Sequence, residues 1–187
     1  MEYALMNEKL KNTLNPDRYA HSKGVEEFAA ILAQKHGVDT QKARIAGLLH
    51  DLDKNMDKEI SREIIEKSNL DNSIKETPSL WHGPVGAMLL EKEYEITDPE
   101  IFDAVFYHTI GKVNMPPLTK IIYVADAIEP GRDEYFSWSK ACRETALSDL
   151  DKAVLEVTDR TINSLIERGM KINPVCIDIH NQMVQKY

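Results

Sequence analysis

The sequence predicts an all-α protein folded as a single helical bundle, and three observations carry that expectation. Leu, Ile, Ala, Glu and Lys, residues that favour helices, are abundant. Only 8 Gly and 8 Pro in 187 residues leave little for the many tight turns of an all-β chain. Apolar residues recur at helical spacing in segment after segment, with no repeat, low-complexity tract or linker between them. The length and the 42% hydrophobic content suit one domain spanning residues 1–187.

The elements follow in order. A first helix over about Met1–Leu14 ends before Asn15-Pro16, and Pro16 opens a second that runs to His36 and stops at Gly37. Asp39 caps a third helix expected to extend through Ala43–Asp53, so apolar that it must be buried. Asp57–Leu70 is amphipathic, with Ile60, Ile64 and Ile65 on one side. Trp81-His82-Gly83-Pro84 opens a helix through Leu90. Asp98-Pro99 caps one that ends near His108. Leu118–Ile128 is almost wholly apolar and stops at Glu129-Pro130-Gly131. A long helix from Leu150 to Gly169 and a last one from Asn173-Pro174 complete the chain.

Charge and composition exclude several functions. A net charge of −8 argues against long contact with a nucleic-acid backbone, which needs a basic stripe. It does not argue against one small anion bound at a metal ion. No apolar run approaches the roughly 20 residues that span a bilayer, and the N-terminus lacks a signal-peptide layout. Two cysteines, Cys142 and Cys176, are too few for a disulfide scaffold or a cysteine-based zinc site, so both are expected as free thiols in a reducing cytoplasm.

The chemistry is expected where ionisable residues interrupt apolar helices. His50 and Asp51 follow Ile45-Ala46-Gly47-Leu48-Leu49, and Asp126 sits within Ile121–Ile128. A carboxylate among aliphatic groups is costly unless a cation pairs with it, and neither segment offers one apart from Lys54. A metal ion held between the central helices would satisfy both carboxylates. His21, His50, His82 and His108 each fall on a separate helix or helix start, and imidazole with carboxylate suits a first-row metal. On a helix, His50 and Lys54 share a face, so Lys54 could reach a phosphate bound at that metal. Taken singly these residues have plainer readings. His21 reads as a hydrogen-bonded histidine, His82 as a helix-start residue, His108 as a charge at a helix C-terminus, and Lys54 and Arg132 as solvated cations. Asp126 alone resists such a reading. His36 and His180 are read as surface residues.

In combination, the order His21 … His50-Asp51 … His82 … His108 … Asp126 resembles the HD superfamily of metal-dependent phosphohydrolases. Five local texts sharpen the resemblance: Arg18–Val25, Gly47–Lys54, His82–Ala87, Tyr107–Lys112 and Tyr123–Arg132. They are similar to the bacterial YqeK-type branch, symmetrical diadenosine tetraphosphate hydrolases, from about Arg18 to the C-terminal helix. The resemblance implies an HD-type bundle with its core over about 18–132 and C-terminal helices, about 148–187, packing beside the site. It implies a divalent metal, iron by preference with manganese or zinc as alternatives, held by His21, His50, Asp51 and Asp126. His82 and His108 would hold a second ion or face phosphate. The implied reaction is hydrolysis of a small dinucleotide to two ADP by water activated at the metal. Lys54, Arg132 and Arg18 would meet the phosphates, with Thr109 beside them, and Asp51, Asp53 and Lys54 would carry the catalysis. Gly169, Lys171 and Asn173 would close over the nucleoside, although a helix stop and restart also explains Gly169 and Pro174. Alternatives on the same scaffold are a nucleotidase or a deoxynucleoside triphosphate hydrolase. A further alternative is a non-catalytic nucleotide or metal sensor. A homodimer is left open by the sequence.

Overall fold

The computed structural model describes all residues, 1–187, and contains eleven helices and no strand. They are α1 (Tyr3–Thr13), α2 (Pro16–His36), α3 (Thr40–Leu49), α4 (Lys58–Lys67), α5 (Asn72–Lys75), α6 (His82–Tyr94), α7 (Pro99–Tyr107), α8 (Pro117–Ile128), α9 (Ser139–Ser148), α10 (Leu150–Glu167) and α11 (Pro174–Val184). Short 3-10 turns lie at Pro78–Leu80 and Pro130–Glu134. No helix is long and apolar enough to cross a membrane.

The caps explain the boundaries. Asn15 Oδ1 accepts from Arg18 N with Pro16 at the first helical position, and Asp98 does the same for α7 ahead of Pro99. Gly37 takes the left-handed conformation that ends α2. Gly169 does the same after α10 at φ 63°, and Asn173 Oδ1 caps α11 through Val175 N at 3.1 Å.

Helix α8 is the hub, packing against α2, α3, α7, α9 and α10. Leu118, Ile121, Ile122, Val124, Ala125 and Ile128 are all buried, so the helix is apolar almost all round, as a central helix must be. The main core runs from Met6 and Leu10 of α1 through Leu32, Leu48 and Leu49 to Val154 and Ile179. A smaller cluster of Ile65, Ile74, Trp81, Val85 and Ile110 anchors the α4–α6 segment.

Two helix boundaries are revised, and one helix is added. Helix α3 stops at Leu49 rather than Asp53. From there Leu52, Lys54 and Met56 donate to carbonyls three residues back, a tight turn instead of a helix. Helix α4 ends at Lys67, where Ser68 turns to extended backbone and its hydroxyl bonds Ile65 O. Helix α9 has no clear sequence signal, because its buried face is made of the small residues Ser139, Cys142 and Ala146. His36 is also more than a surface residue: Nε2 lies 2.7 Å from Ala146 O, tying α2 to α9.

Candidate metal centre

Five helices converge on one cluster. His50 and His108 each occupy the first position past a helix end, after α3 and α7 respectively. In both, Nδ1 lies 2.7 Å from the carbonyl three residues earlier, Gly47 O for His50 and Val105 O for His108. A carbonyl only accepts, so Nδ1 carries the proton in each ring, and in the neutral ring Nε2 is left with its lone pair. Burial keeps His50 neutral, lowering it to about 4.

His21 and Asp126 come from the second turn of α2 and the last turn of α8 and are held by side chains. His21 Nδ1 is 3.1 Å from Glu129 Oε1 and Nε2 is 2.9 Å from Asp126 Oδ1. Arg132 donates to Asp126 Oδ1 at 3.0 Å and to its backbone carbonyl at 3.0 Å. Asp51 Oδ2 accepts from Arg18 at 2.7 Å, while Oδ1 lies 3.5 Å from Lys54 Nζ, 3.6 Å from His82 Nε2 and 3.7 Å from His108 Nε2. Lys54 therefore does reach the site, by way of the turn and not by a shared helix face.

The imidazoles form a row. Ring centroids of His21 and His50 are 5.1 Å apart, those of His50 and His108 5.0 Å, and those of His108 and His82 5.0 Å. Thr109 Oγ1 closes the far end, 2.8 Å from His82 Nε2 and 2.9 Å from His108 Nε2.

These residues fit a divalent cation. Donor atoms of His21, His50 and Asp126 lie within 4.8 Å of one another, and so do those of His50, Asp51 and His108. His50 Nε2 and Asp51 Oδ1 are buried and have no hydrogen-bond partner. An unpaired buried polar atom costs about 1–3 kcal/mol, and a cation removes that cost for both. Glu129 accepts at His21 Nδ1, which leaves Nε2 facing a second acceptor, Asp126; two acceptors at 2.9 Å need a proton or a metal between them. Burial alone would raise the Asp126 carboxyl, but the His21 bond and the neighbouring histidines hold it well below its ordinary range. Asp51 is likewise held low against burial by His50, His108 and Lys54. The four expected ligands are thus spread over two overlapping triads that share His50, with His108 entering beside Asp51. His82 stands one ring further out, lowered to about 3 by burial and by His108.

Asp53 lies apart from this contact network. It is buried, Oδ1 has no partner and faces the backbone of Gly86, and burial with Asp51 pushes the carboxyl up to about 7. Lys171 and Asn173 line a cavity of about 400 Å³ that also touches Thr109, although the Asn173 side chain is engaged as a helix cap. Gly169 sits at the helix stop and is not among the residues lining that cavity.

Sequence reasoning gave Glu129 no role. The carboxylate is buried, orients His21, and accepts from Gly131 N at 2.6 Å. Its nest is made of glycines: a side chain on Gly24 would collide with the Glu129 carboxyl, and one on Gly131 would lie 2.9 Å from Oε1. The Glu-Pro-Gly text after an apolar helix was the available signal. Such an outer carboxylate fixes the ring orientation and basicity of a metal-ligating histidine.

Comparison with known proteins agrees with this geometry. The HD domain family matches residues 18–131. The chain is 36% identical over 94% of both chains to the symmetrical bis(5'-nucleosyl)-tetraphosphatase of Bacillus subtilis. It is 37% identical to the protein of the same description from Staphylococcus aureus, covering 91% of this chain and 89% of the relative. A solved structure from Clostridium acetobutylicum, described as a predicted HD superfamily hydrolase involved in NAD metabolism, superposes with a TM-score of 0.93 at 38% identity, covering 100% of this chain and 99% of that one. The matched segment begins at Arg18 and ends at Gly131, enclosing every histidine and aspartate of the cluster, and the chain belongs to the HD domain family.

Proposed function

We propose that the protein hydrolyses diadenosine tetraphosphate symmetrically to two ADP, using a divalent metal, iron by preference, held by His21, His50, Asp51 and Asp126 with His108 in reach. The observation that carries this reading is the pair of buried, partnerless atoms, His50 Nε2 and Asp51 Oδ1, inside a ring of imidazole and carboxylate donors. The symmetrical tetraphosphatases similar to this chain over most of its length supply the substrate. A small nucleotide also suits a chain of net charge −8 better than a nucleic acid does. Two free, buried cysteines fit a cytoplasmic enzyme.

A bound divalent ion supplies Lewis-acid activation of water and positive charge for the phosphoryl oxygens. The chain's own residues do the rest. The oxygen of water bonds to a central phosphorus, and the bond from that phosphorus to the bridging oxygen breaks, so the electron pair leaves with one ADP. Arg18, Lys54 and Arg132 border the cluster and are placed to hold the phosphates and the charge developing on the leaving oxygen. Asp51 orients the centre. Asp53, buried with one oxygen free, is assigned the proton of the attacking water. His82 and Thr109 contact the phosphate at the far end of the row.

The test is an anaerobic preparation with its metals quantified, incubated with diadenosine tetraphosphate and, separately, with dATP, and the products separated by chromatography. ADP as the sole product supports the reading. ATP with AMP, or turnover of dATP alone, keeps an HD phosphohydrolase and replaces its substrate. A metal-loaded protein that binds the dinucleotide without turnover is a sensor.

A further inference from the structure

Glu129 and Arg132 aim the His21–Asp126 side of the cluster, yet both stand on a segment with little regular backbone to hold it. Helix α8 ends at Ile128, Glu129 leaves the helical conformation at ψ 154°, and Pro130 brings no N–H. Residues 130–134 form only a 3-10 turn. The same segment borders open space: Glu129, Gly131 and Arg132 line a cavity of about 820 Å³ together with Arg18 and His21. A short turn beside such a cavity holds its side chains in place only if its ends are fixed from elsewhere.

Arg143 of α9 fixes both ends. Its Nη1 donates to Ile128 O at 2.7 Å and lies 3.5 Å from Glu129 O. Its Nη2 donates to the two carboxylate oxygens of Asp133 at 2.7 and 2.5 Å. One planar guanidinium thus grips the residue before Glu129 and the residue after Arg132. It also meets the negative end of α8, where a positive charge is favourable. Asp133 is held from its other side by the buried Ser139, whose Oγ donates to Oδ1. The Arg143 side chain is only 14% exposed, and its neighbours Cys142 and Ala146 seat α9 in the main core. None of these contacts is to a side chain of the metal cluster.

We infer that Arg143 is a positioning residue of the metal centre. It brackets residues 129–132 and so sets Glu129 against His21 and Arg132 against Asp126. The inference rests on the divalent-metal reading above and adds to it a control point outside the ligand set. Charge alone predicts the opposite behaviour: removing a cation near a cation site strengthens binding of the ion, whereas loosening Glu129 weakens it.

The test is a double-mutant cycle in Mn²⁺ affinity, measured by equilibrium dialysis on the wild type, Arg143→Gln, Glu129→Ala and the double variant. Affinity should fall about ten-fold in Arg143→Gln. The double variant should stay within about two-fold of Glu129→Ala, because a residue that acts through Glu129 has little left to lose once Glu129 is gone. NMR of the imidazole nitrogens of His21, in the metal-free protein at fixed pH, gives a second readout. The Nδ1 resonance should move in Arg143→Gln in the direction it moves in Glu129→Ala. Arg143→Lys keeps the charge and one of the two grips, so it should restore part of both signals. It also stands in for Arg143→Gln if the thermal midpoint shows that variant unfolded. Wild-type affinity in Arg143→Gln, losses that multiply in the double variant, or an unmoved His21 resonance overturns the inference. A wild type that binds no divalent ion refutes the metal reading instead, and the His21 resonance then decides the role of Arg143 by itself.

Discussion

Two halves of the cluster are built by different means. His50 and His108 sit just past helix ends, and backbone carbonyls fix their Nδ1 atoms at 2.7 Å. His21 and Asp126 sit within helices, and Glu129 and Arg132 aim them through their own side chains. The first pair is set by the fold: no other side chain has to be present for the lone pairs to point inward. The second pair depends on a short chain of polar contacts that point mutations can cut. A centre built this way has one fixed wall and one adjustable wall. The adjustable wall is the one that borders the larger cavity.

The largest effect should come from removing a ligand from either wall. His50→Ala and Asp126→Ala are both expected to lower metal content well below that of the wild type and activity by at least about 10²–10³-fold. Elemental analysis of purified protein checks the first point and product formation the second. His50→Ala should also open a cavity at a fully buried position, whereas Asp126 is partly exposed. A lower thermal midpoint for His50→Ala than for Asp126→Ala, both metal-free, would sharpen the contrast. Retention of metal in Asp126→Ala would break it.

Smaller and more selective effects are expected one layer out. Glu129→Gln keeps the size of the side chain and an acceptor oxygen, while Glu129→Ala leaves His21 free to turn. Metal affinity should fall about 10–100-fold in Glu129→Ala and less in Glu129→Gln. Gly24→Ala should behave like Glu129→Ala, because the new methyl displaces the carboxyl end of a side chain. Gly83→Ala should differ in kind. Its methyl would lie 2.6 Å from Phe106 O, next to the carbonyl of Val105 that fixes His108, so backbone must move. About 1–3 kcal/mol of destabilisation is expected, or roughly 2–4 °C of thermal midpoint for each kcal/mol. Equal loss of midpoint in Gly24→Ala and Gly83→Ala would erase the distinction between the walls.

What could be read in the sequence follows the same division. His50 and Asp51 after an apolar run, and Asp126 inside one, are visible because burial makes an ionisable side chain improbable without a partner. His21, His82 and His108 gain meaning only in combination, since a single imidazole has too many ordinary uses. The tight turn after Leu49 was hidden, because Leu52 continues the apolar pattern of α3 and nothing in the composition marks the break. Glu129 was hidden because its function is a contact with a residue 108 positions earlier, across α2 and α8. Helix α9 was hidden because Ser139, Cys142 and Ala146 bury little apolar area, so its period is faint. Signals that come from a residue's own environment along the chain were legible. Signals that come from its partner across the fold were not.

The smallest expected effect tests whether the region behind the adjustable wall is as rigid as the core. Cys142 on α9 and Cys176 on α11 are both buried and unpaired, and burial pushes their thiols up, Cys142 to about 12 with Glu156 adding to the shift. A raised thiol stays protonated at neutral pH, and the thiolate is the reactive form. Both cysteines should therefore resist alkylation at pH 7–8 in the native protein and react at the rate at which α9 and α11 open. Mass spectrometry after a timed pulse of iodoacetamide reads this directly. Labelling that accelerates only in denaturant would show that α9 and α11 share the stability of the core around α8. Fast labelling of Cys142 alone would mean that α9 opens by itself, and the wall that carries Glu129 and Arg132 would then rest against a mobile neighbour.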